Sequence, residues 1–214
     1  VDETSEHALF PSRPLSFVGA VGLSYWVFFL ISVTHSSLLI YTPLFLQVLH
    51  GISPLYVGYL SLVFSLAWTV GAIAVSGWSG LWERYAATGG MVLATAGIAL
   101  MGSEMVGGSM MMITFYFAII GIGIGATNVL MTAWGMTVAR KGEESVTASS
   151  MPMVRSIGVA FGAAFAGLVA NAAGLGQGTE PEIVANAAIW VMAMTVVPPA
   201  LAALIALRFL TYWG

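Results

Sequence analysis

Residues 17–40 read FVGAVGLSYWVFFLISVTHSSLLI, a stretch of 24 residues that contains no Asp, Glu, Lys or Arg. A spanning helix needs roughly 20 mostly apolar residues to cross about 30 Å of hydrocarbon. The stretch is therefore long enough and apolar enough to be a transmembrane helix. Scanning outward on the same basis gives six candidate spans, at residues 17–40, 57–78, 88–105, 110–136, 146–173 and 183–209, the first continuing beyond Pro43 to Leu49.

The composition of the whole chain agrees with this prediction. Hydrophobic residues make up 59% of the 214 residues and charged residues 7%, whereas a soluble domain carries about 25% charged residues to keep its outside wetted. We therefore predict an all-α polytopic membrane protein, with a six-helix transmembrane bundle over residues 17–212 in contact with the lipid bilayer. The polar, acidic residues 1–16 are predicted to form a cytoplasmic linker, exposed by truncation or processing.

Charge and cysteine content exclude several other classes of protein. Six Lys and Arg against nine Asp and Glu are too few cations to neutralise a nucleic acid, and the absence of Cys excludes disulfides and thiolate chemistry. Residues 77–80 spell GxSG, the nucleophile motif of rhomboid intramembrane proteases, but no His follows it to take the serine proton. We predict no enzymatic activity, no catalytic or metal-binding residue and no cofactor.

The cations lie on one side of the membrane if the chain crosses it six times. These cations are Arg13, Arg84, Arg140, Lys141 and Arg208, whereas the opposite loops carry only Glu104, Glu180 and Glu182. Short loops rich in Lys and Arg stay in the cytoplasm. We therefore predict a multi-pass protein of the cell (inner or plasma) membrane, with both termini cytoplasmic.

Glycines at short spacing indicate close helix packing, because backbone approach matters more than hydrophobicity for association in lipid. Gly158 and Gly162 are four residues apart in the fifth span, and Gly121, Gly123 and Gly125 alternate in the fourth. These stripes are read as helix–helix contact faces.

Arg155 is a charged residue inside a predicted span, about 13 Å from the cytoplasmic end of the fifth helix. A charge at this depth is costly unless it has a function or a partner. Three interpretations stay open: a structural or gating ion pair, a substrate contact, or a side chain that snorkels to the surface.

Several neutral or weakly basic side chains are candidates for a substrate cavity. His35 titrates near pH 6.5 when free, so it is either a proton carrier or a hydrogen-bonded structural histidine. Asn128 and Gln47 are polar cavity candidates, and Trp26, Trp68, Trp134 and Trp190 could stack on a ligand or anchor the helices at the interface. No Asp or Glu lies in the interior of a predicted span, so a carboxylate proton relay is missing from these residues.

The segment Tyr41–Gly58, YTPLFLQVLHGISPLYVG, resembles a helix-closing and helix-opening segment of the multidrug:proton antiporters of the major facilitator superfamily, of the fourteen-helix drug exporter type. The matching positions are Pro43, Leu46, Gln47, Gly51, Ser53, Pro54 and Gly58. Residues 155–162, RSIGVAFG, are similar to that family's Arg-x-x-Gly-x-x-x-Gly. Residues 79–90 resemble a degraded cytoplasmic loop motif in which Glu83 and Arg84 stand for Asp-Arg.

The resemblance covers only half of such a transporter, and it implies the carboxy-terminal bundle of six helices. A six- or eight-helix amino-terminal bundle would then be the partner, and the two bundles would rock around a midplane cavity. The first and fourth helices would line this cavity with His35 and Asn128, and Arg155 would lie at the interface between bundles. Ser145, as an N-cap of the fifth helix, would place free N–H groups near a carboxylate of the other bundle.

The function that the resemblance implies is proton-coupled efflux of lipophilic small molecules by alternating access, with carboxylates of the amino-terminal bundle carrying the proton. Two alternatives of other kinds stay open. One is a self-contained six-helix protein that acts as a homodimeric pore or half-transporter. The other is a non-transporting scaffold that binds lipid or a partner.

Overall fold

The computed structural model describes residues 19–137 and 144–211. In these ranges the chain is helical and has no strand. The helices are α1 (Ala20–His50), α2 (Pro54–Ala74), α3 (Leu81–Glu104), α4 (Met110–Thr137), α5 (Glu144–Ala172), α6 (Pro181–Thr195) and α7 (Val197–Thr211), with a short 3-10 turn at Leu175–Gln177. Six helical segments are long and apolar enough to cross a membrane, with α6 and α7 together forming the sixth. The all-α six-span prediction is confirmed.

The turn between α1 and α2 follows directly from its residues. Gly51 ends α1 with φ 63°, a left-handed conformation that glycine adopts without steric cost. Ser53 then caps α2, because its hydroxyl accepts a hydrogen bond from the Tyr56 N–H at 3.4 Å, and Pro54 occupies the first helical position. This segment is the most distinctive part of the sequence, and it joins the two helices by only three residues.

Two predicted helix starts were wrong. α3 begins at Leu81, so Glu83 and Arg84 lie in its first turn and not in a loop. α5 begins at Glu144, so Ser145 lies inside the first turn and is not the N-cap. The sixth span is interrupted at Val196, because prolines at 198 and 199 cannot donate to the carbonyl groups one turn earlier.

The packing order of the spans has an internal two-fold relation. α1 packs on α5 and on the sixth span, and α4 packs on α2 and on α3. If the first, second and third spans are exchanged with the fourth, fifth and sixth, respectively, the contacts of α1 become those of α4. The contact between α3 and the sixth span is unchanged by this exchange. Among the described helices, only the contact of α5 with α6 has no counterpart.

The alternating glycines of α4 serve two neighbours at once. Residues two apart on a helix point about 200° apart, so Gly121 and Gly125 face α2 while Gly123 faces α3. A Cβ on Gly121 would lie 2.7 Å from the carbonyl oxygen of Phe64, and one on Gly123 would collide with the carbonyl oxygen of Gly90. The alternating glycines of α4 therefore form two contact faces, one toward α2 and one toward α3.

The glycines of α5 fit against α1 in the same way. A Cβ on Gly158 would lie 2.7 Å from the carbonyl oxygen of Phe29, and one on Gly162 would lie 2.5 Å from that of Val33. Since α2 is held by α4 and α5 by α1 through direct backbone contact, these two helices have closely fixed positions in the bundle.

Candidate functional site

α2 and α5 are the least buried spans of the bundle. Only 22% of the most apolar window of each is buried, against 67% in α1 and 50% in α4. The exposed side of α2 carries hydroxyl groups at four-residue spacing, with Ser65 and Thr69 exposed. α5 exposes Arg155 and the adjacent Ser156 on its own outer side. These polar residues are interspersed among exposed apolar side chains, such as Leu66 and Val70 on α2 and Ile157 and Val159 on α5. We call the exposed surfaces of α2 and α5 the polar face, because each carries hydroxyl or charged groups.

The hydroxyls of the polar face bond to their own helices. Ser65 donates to the carbonyl oxygen of Ser61 at 2.9 Å, and Thr69 donates to that of Ser65 at 3.0 Å. Each hydroxyl oxygen keeps lone pairs that can accept a further hydrogen bond. The polar face is therefore compatible with hydrocarbon only at a cost and is well suited to a protein or aqueous neighbour.

His35 lies at the midpoint of α1 and is half-buried between aromatic side chains of α2. Its ring stacks on Phe64, with 5.7 Å between centroids and 26° between planes, and meets Trp68 edge-on at 5.6 Å. Phe64 is the middle residue of α2, so this contact lies at about half the height of the bundle along its helices. Both interpretations of His35, as a proton carrier and as a hydrogen-bonded structural histidine, stay predictions.

Asn128 lies on α4, half-buried, nine residues before that helix ends. Its Nδ2 is buried and has no hydrogen-bond partner among the described residues. A buried amide without a partner is costly, so such a group is often satisfied by a ligand or a water.

Arg155 is exposed and lies about 16 Å along α5 from its first described residue. Within the described part of the chain it makes no ion pair. The ion pair, the contact with a substrate and the side chain that snorkels to the surface all stay predictions.

Trp26 belongs to a second aromatic group, on the α1–α5 side. Its ring meets Phe29 edge-on at 5.9 Å, Phe29 contacts Phe161 at 5.6 Å, and Phe161 stacks on Phe165 at 6.0 Å. This group continues onto the exposed surface of α5, since Phe161 is exposed.

Three of the predicted site residues lie close together, although the sequence analysis assigned them two different roles. Glu83, Arg84 and Trp134 line one small cavity of about 10 Å³ at the end of the bundle where α3 begins and α4 ends. Trp134, proposed for the substrate cavity, therefore lies beside the proposed gating pair. Arg208, near the end of α7, is at the same end of the bundle as Arg84, whereas Arg13, Arg140 and Lys141 lie outside the described residues.

Gln47 and Ser145 do not join either group. Gln47 is exposed one turn before the end of α1, about 18 Å along the helix from His35. Ser145 is exposed at the opposite end of the bundle, at the start of α5.

Sequence reasoning did not single out Phe64 or the hydroxyl stripe of α2. The stripe had a readable signal, since residues 61, 65 and 69 are all Ser or Thr at helical spacing. Phe64 had none, because a phenylalanine in a transmembrane span is ordinary and only the tertiary contact places it against His35.

Comparison with known proteins identifies a distant homologue. The chain is 31% identical over 165 residues to the protein named "Probable multidrug-efflux transporter" in two strains of Mycobacterium tuberculosis, CDC 1551 and H37Rv. The match covers 71% of this chain and 34% of the relative. The chain thus spans about a third of the length of the curated relatives it matches. No family model matches it. The six apolar helices fit a multi-pass membrane protein.

Proposed function

We propose that this chain is the carboxy-terminal six-helix half of a major facilitator multidrug:proton antiporter. The observation that carries the proposal is the polar face of α2 and α5, which the remainder of a transporter would cover. About two thirds of the relatives' length lies outside the match, enough for a second bundle. The two-fold packing order agrees with the inverted three-helix repeats of such bundles.

In this proposal the substrate cavity is bounded by α1 and α4. The rings of His35, Phe64 and Trp68, whose planes lie at 26–62° to one another, would form an aromatic wall for a lipophilic molecule. Asn128 would offer its buried amide as a hydrogen-bond donor. Trp26 would extend the aromatic wall toward α5. An apolar wall with few polar groups accepts many shapes, which suits efflux of diverse lipophilic compounds.

Arg155 would meet the amino-terminal bundle, where a carboxylate or an anionic substrate group would neutralise it. Glu83, Arg84 and Ser145 would act at the cytoplasmic ends of the helices, where bundles meet in the inward-closed state. Gln47 would lie at the opposite mouth of the cavity. Residues 1–16 would be the cytoplasmic linker between bundles, and residues 17–212 the bundle itself, in the cell membrane with both termini cytoplasmic.

The transport mechanism would be alternating access without covalent chemistry. The two bundles would rock about the fixed cavity, and proton entry would drive export of the lipophilic substrate. Since no Asp or Glu lies in the middle of a described helix, the coupling carboxylates would belong to the other bundle, with His35 as the titratable group on this side.

The test is efflux of a fluorescent lipophilic cation from vesicles that contain the complete protein and carry a pH gradient. We expect efflux by the unaltered protein and a loss of at least about tenfold in Arg155→Ala, the factor that 1.4 kcal/mol of lost interaction gives. His35→Gln should change the pH profile of efflux. Unchanged efflux in Arg155→Ala would remove its gating role, and an unchanged pH profile would remove His35 from proton coupling.

The same vesicles distinguish the two alternatives. Residues 1–214 reconstituted alone should give no efflux if they are half of a transporter. Efflux by this chain alone, with a dimeric mass, would support the homodimeric pore or half-transporter instead. Absence of substrate movement by the complete protein, with lipid or partner binding retained, would support the scaffold.

A further inference from the structure

The hydroxyl of Thr42 departs from the pattern of most other hydroxyls in the described helices. Ser and Thr inside the described helices mostly donate to their own backbone one turn earlier, as Ser32 does to Phe28 at 2.8 Å and Thr34 to Leu30 at 2.9 Å. Thr42 is 2% exposed, and its Oγ1 has no hydrogen-bond partner within the described ranges. A buried hydroxyl left without a partner costs free energy, so a satisfying group is expected there.

Pro43 leaves a backbone carbonyl oxygen, one turn before Thr42, without its usual helical hydrogen bond. Proline has no N–H, so it cannot donate to the carbonyl oxygen four residues earlier, which belongs to Leu39. α1 nevertheless stays helical through Pro43 to His50. In transmembrane helices the backbone groups freed by proline are satisfied by neighbouring side chains or by ordered water.

A cavity of about 10 Å³ between α1, α2 and α4 is lined by both Thr42 and Leu39. Its lining includes Leu39, Thr42 and Pro43 from α1 and Ser61 from α2, and the other lining side chains are apolar. The volume is close to the minimum that holds one water molecule and too small for a larger ligand. Ser61 donates to the carbonyl oxygen of Val57 at 3.1 Å, which leaves its oxygen able to accept.

We propose that this cavity binds one ordered water molecule that bridges α1 and α2. The Thr42 hydroxyl donates to the water, and the water donates one hydrogen to the Leu39 carbonyl oxygen and the other to Ser61 Oγ. These three bonds are the usual number for a buried water. The water replaces the N–H that Pro43 lacks, and so it keeps α1 helical beyond the proline. The site uses only residues of this chain and does not depend on the transport proposal.

Thr42→Val tests the site through the sign of its effect on stability. Valine replaces the hydroxyl by a methyl group of similar size. With the water bound, the variant loses the bond to Thr42, and the melting temperature of the complete protein should fall by about 2–4 °C. If no water binds, the same change removes a buried unpartnered hydroxyl, and the melting temperature should stay or rise. A rise would overturn the proposal.

Thr88→Val is the matched control. Thr88 is 7% exposed, its Oγ1 also has no partner among the described residues, and no proline follows it. Its replacement should leave the melting temperature unchanged or raise it. An equal fall in both variants would show a general cost of valine at buried helical sites and would contradict the water site.

A second measurement does not rely on stability. A density map of the complete protein, at a resolution that shows ordered water, should contain a peak within hydrogen-bond distance of Thr42 Oγ1 and the Leu39 carbonyl oxygen. Pro43→Ala returns the missing N–H to Leu39, so Thr42→Val should cost less in that background. Empty density at the cavity, with waters visible elsewhere, would overturn the proposal.

Discussion

The outer surface of α3 and α7 differs in chemistry from the polar face of α2 and α5. The exposed residues from 89 to 100 of α3 are Gly, Ala, Val and Leu, and α7 exposes Val and Leu until Arg208. At comparable depth α2 exposes Ser65 and Thr69 among Leu and Val residues, and α5 exposes Arg155 and Ser156 among Ile, Val and Phe residues. Exposure of the α3 and α7 surface to hydrocarbon costs no free energy, whereas exposure of the polar groups of α2 and α5 does. The difference indicates two kinds of neighbour, lipid on one side and protein or water on the other.

The largest predicted effect on stability comes from placing a new charge on each of these two surfaces. Ala96 on α3 and Ala160 on α5 are both exposed and lie near the middle of their helices. Ala96→Arg should cost about 2.5–3.5 kcal/mol, the insertion cost of Arg at a helix centre, because lipid surrounds it. Ala160→Arg should cost clearly less. The yield of folded complete protein from membranes, by size-exclusion chromatography, measures both.

One result would contradict this difference between the two surfaces. Equal losses in Ala96→Arg and Ala160→Arg would mean that the outer side of α5 meets hydrocarbon as that of α3 does. The polar face would then lose its meaning as an interface.

A smaller effect concerns the contact that fixes the polar face in position. A Cβ on Gly125 of α4 would collide with the carbonyl oxygen of Trp68 on α2, whereas a Cβ on Gly89, on the exposed side of α3, meets nothing within 4 Å. Gly125→Ala should therefore destabilise the protein by about 1–3 kcal/mol through overpacking. Gly89→Ala should stabilise it by about 0.5–1 kcal/mol, because Ala is the better helix former. Thermal unfolding in detergent measures both, and equal shifts would contradict the close α2–α4 contact.

The sequence predicted the six spans well, because hydrophobic length is a property of local residues. It predicted the turn at Gly51–Pro54 for the same reason, since glycine, serine and proline act on their own backbone. The interruption at Val196 was also readable from the two prolines beside it, but hydropathy alone joined α6 to α7.

The site was predicted less completely, because its contacts are tertiary. His35 and Asn128 were selected correctly as polar groups inside spans, and their placement agrees with a central cavity without testing it. No local pattern shows that Phe64 stacks on His35, or that Trp134 lies beside Glu83. Ser145 was predicted as the N-cap, but it is the second residue of α5, because an acidic residue such as Glu144 is also stable in the first turn of a helix.

Thiol accessibility tests the two-surface claim most directly, since this chain contains no Cys. Single cysteines would replace Thr69 and Ser156 on the polar face, and Val92 and Leu204 on the outer surface, in the complete protein with its other cysteines removed. A charged, membrane-impermeant thiol reagent needs water to reach and ionise the thiol. We predict reaction at 69 and 156 from at least one side of the membrane, and none at 92 and 204. Equal protection of all four positions, together with no cross-link from 69 or 156 to another part of the protein, would contradict the account.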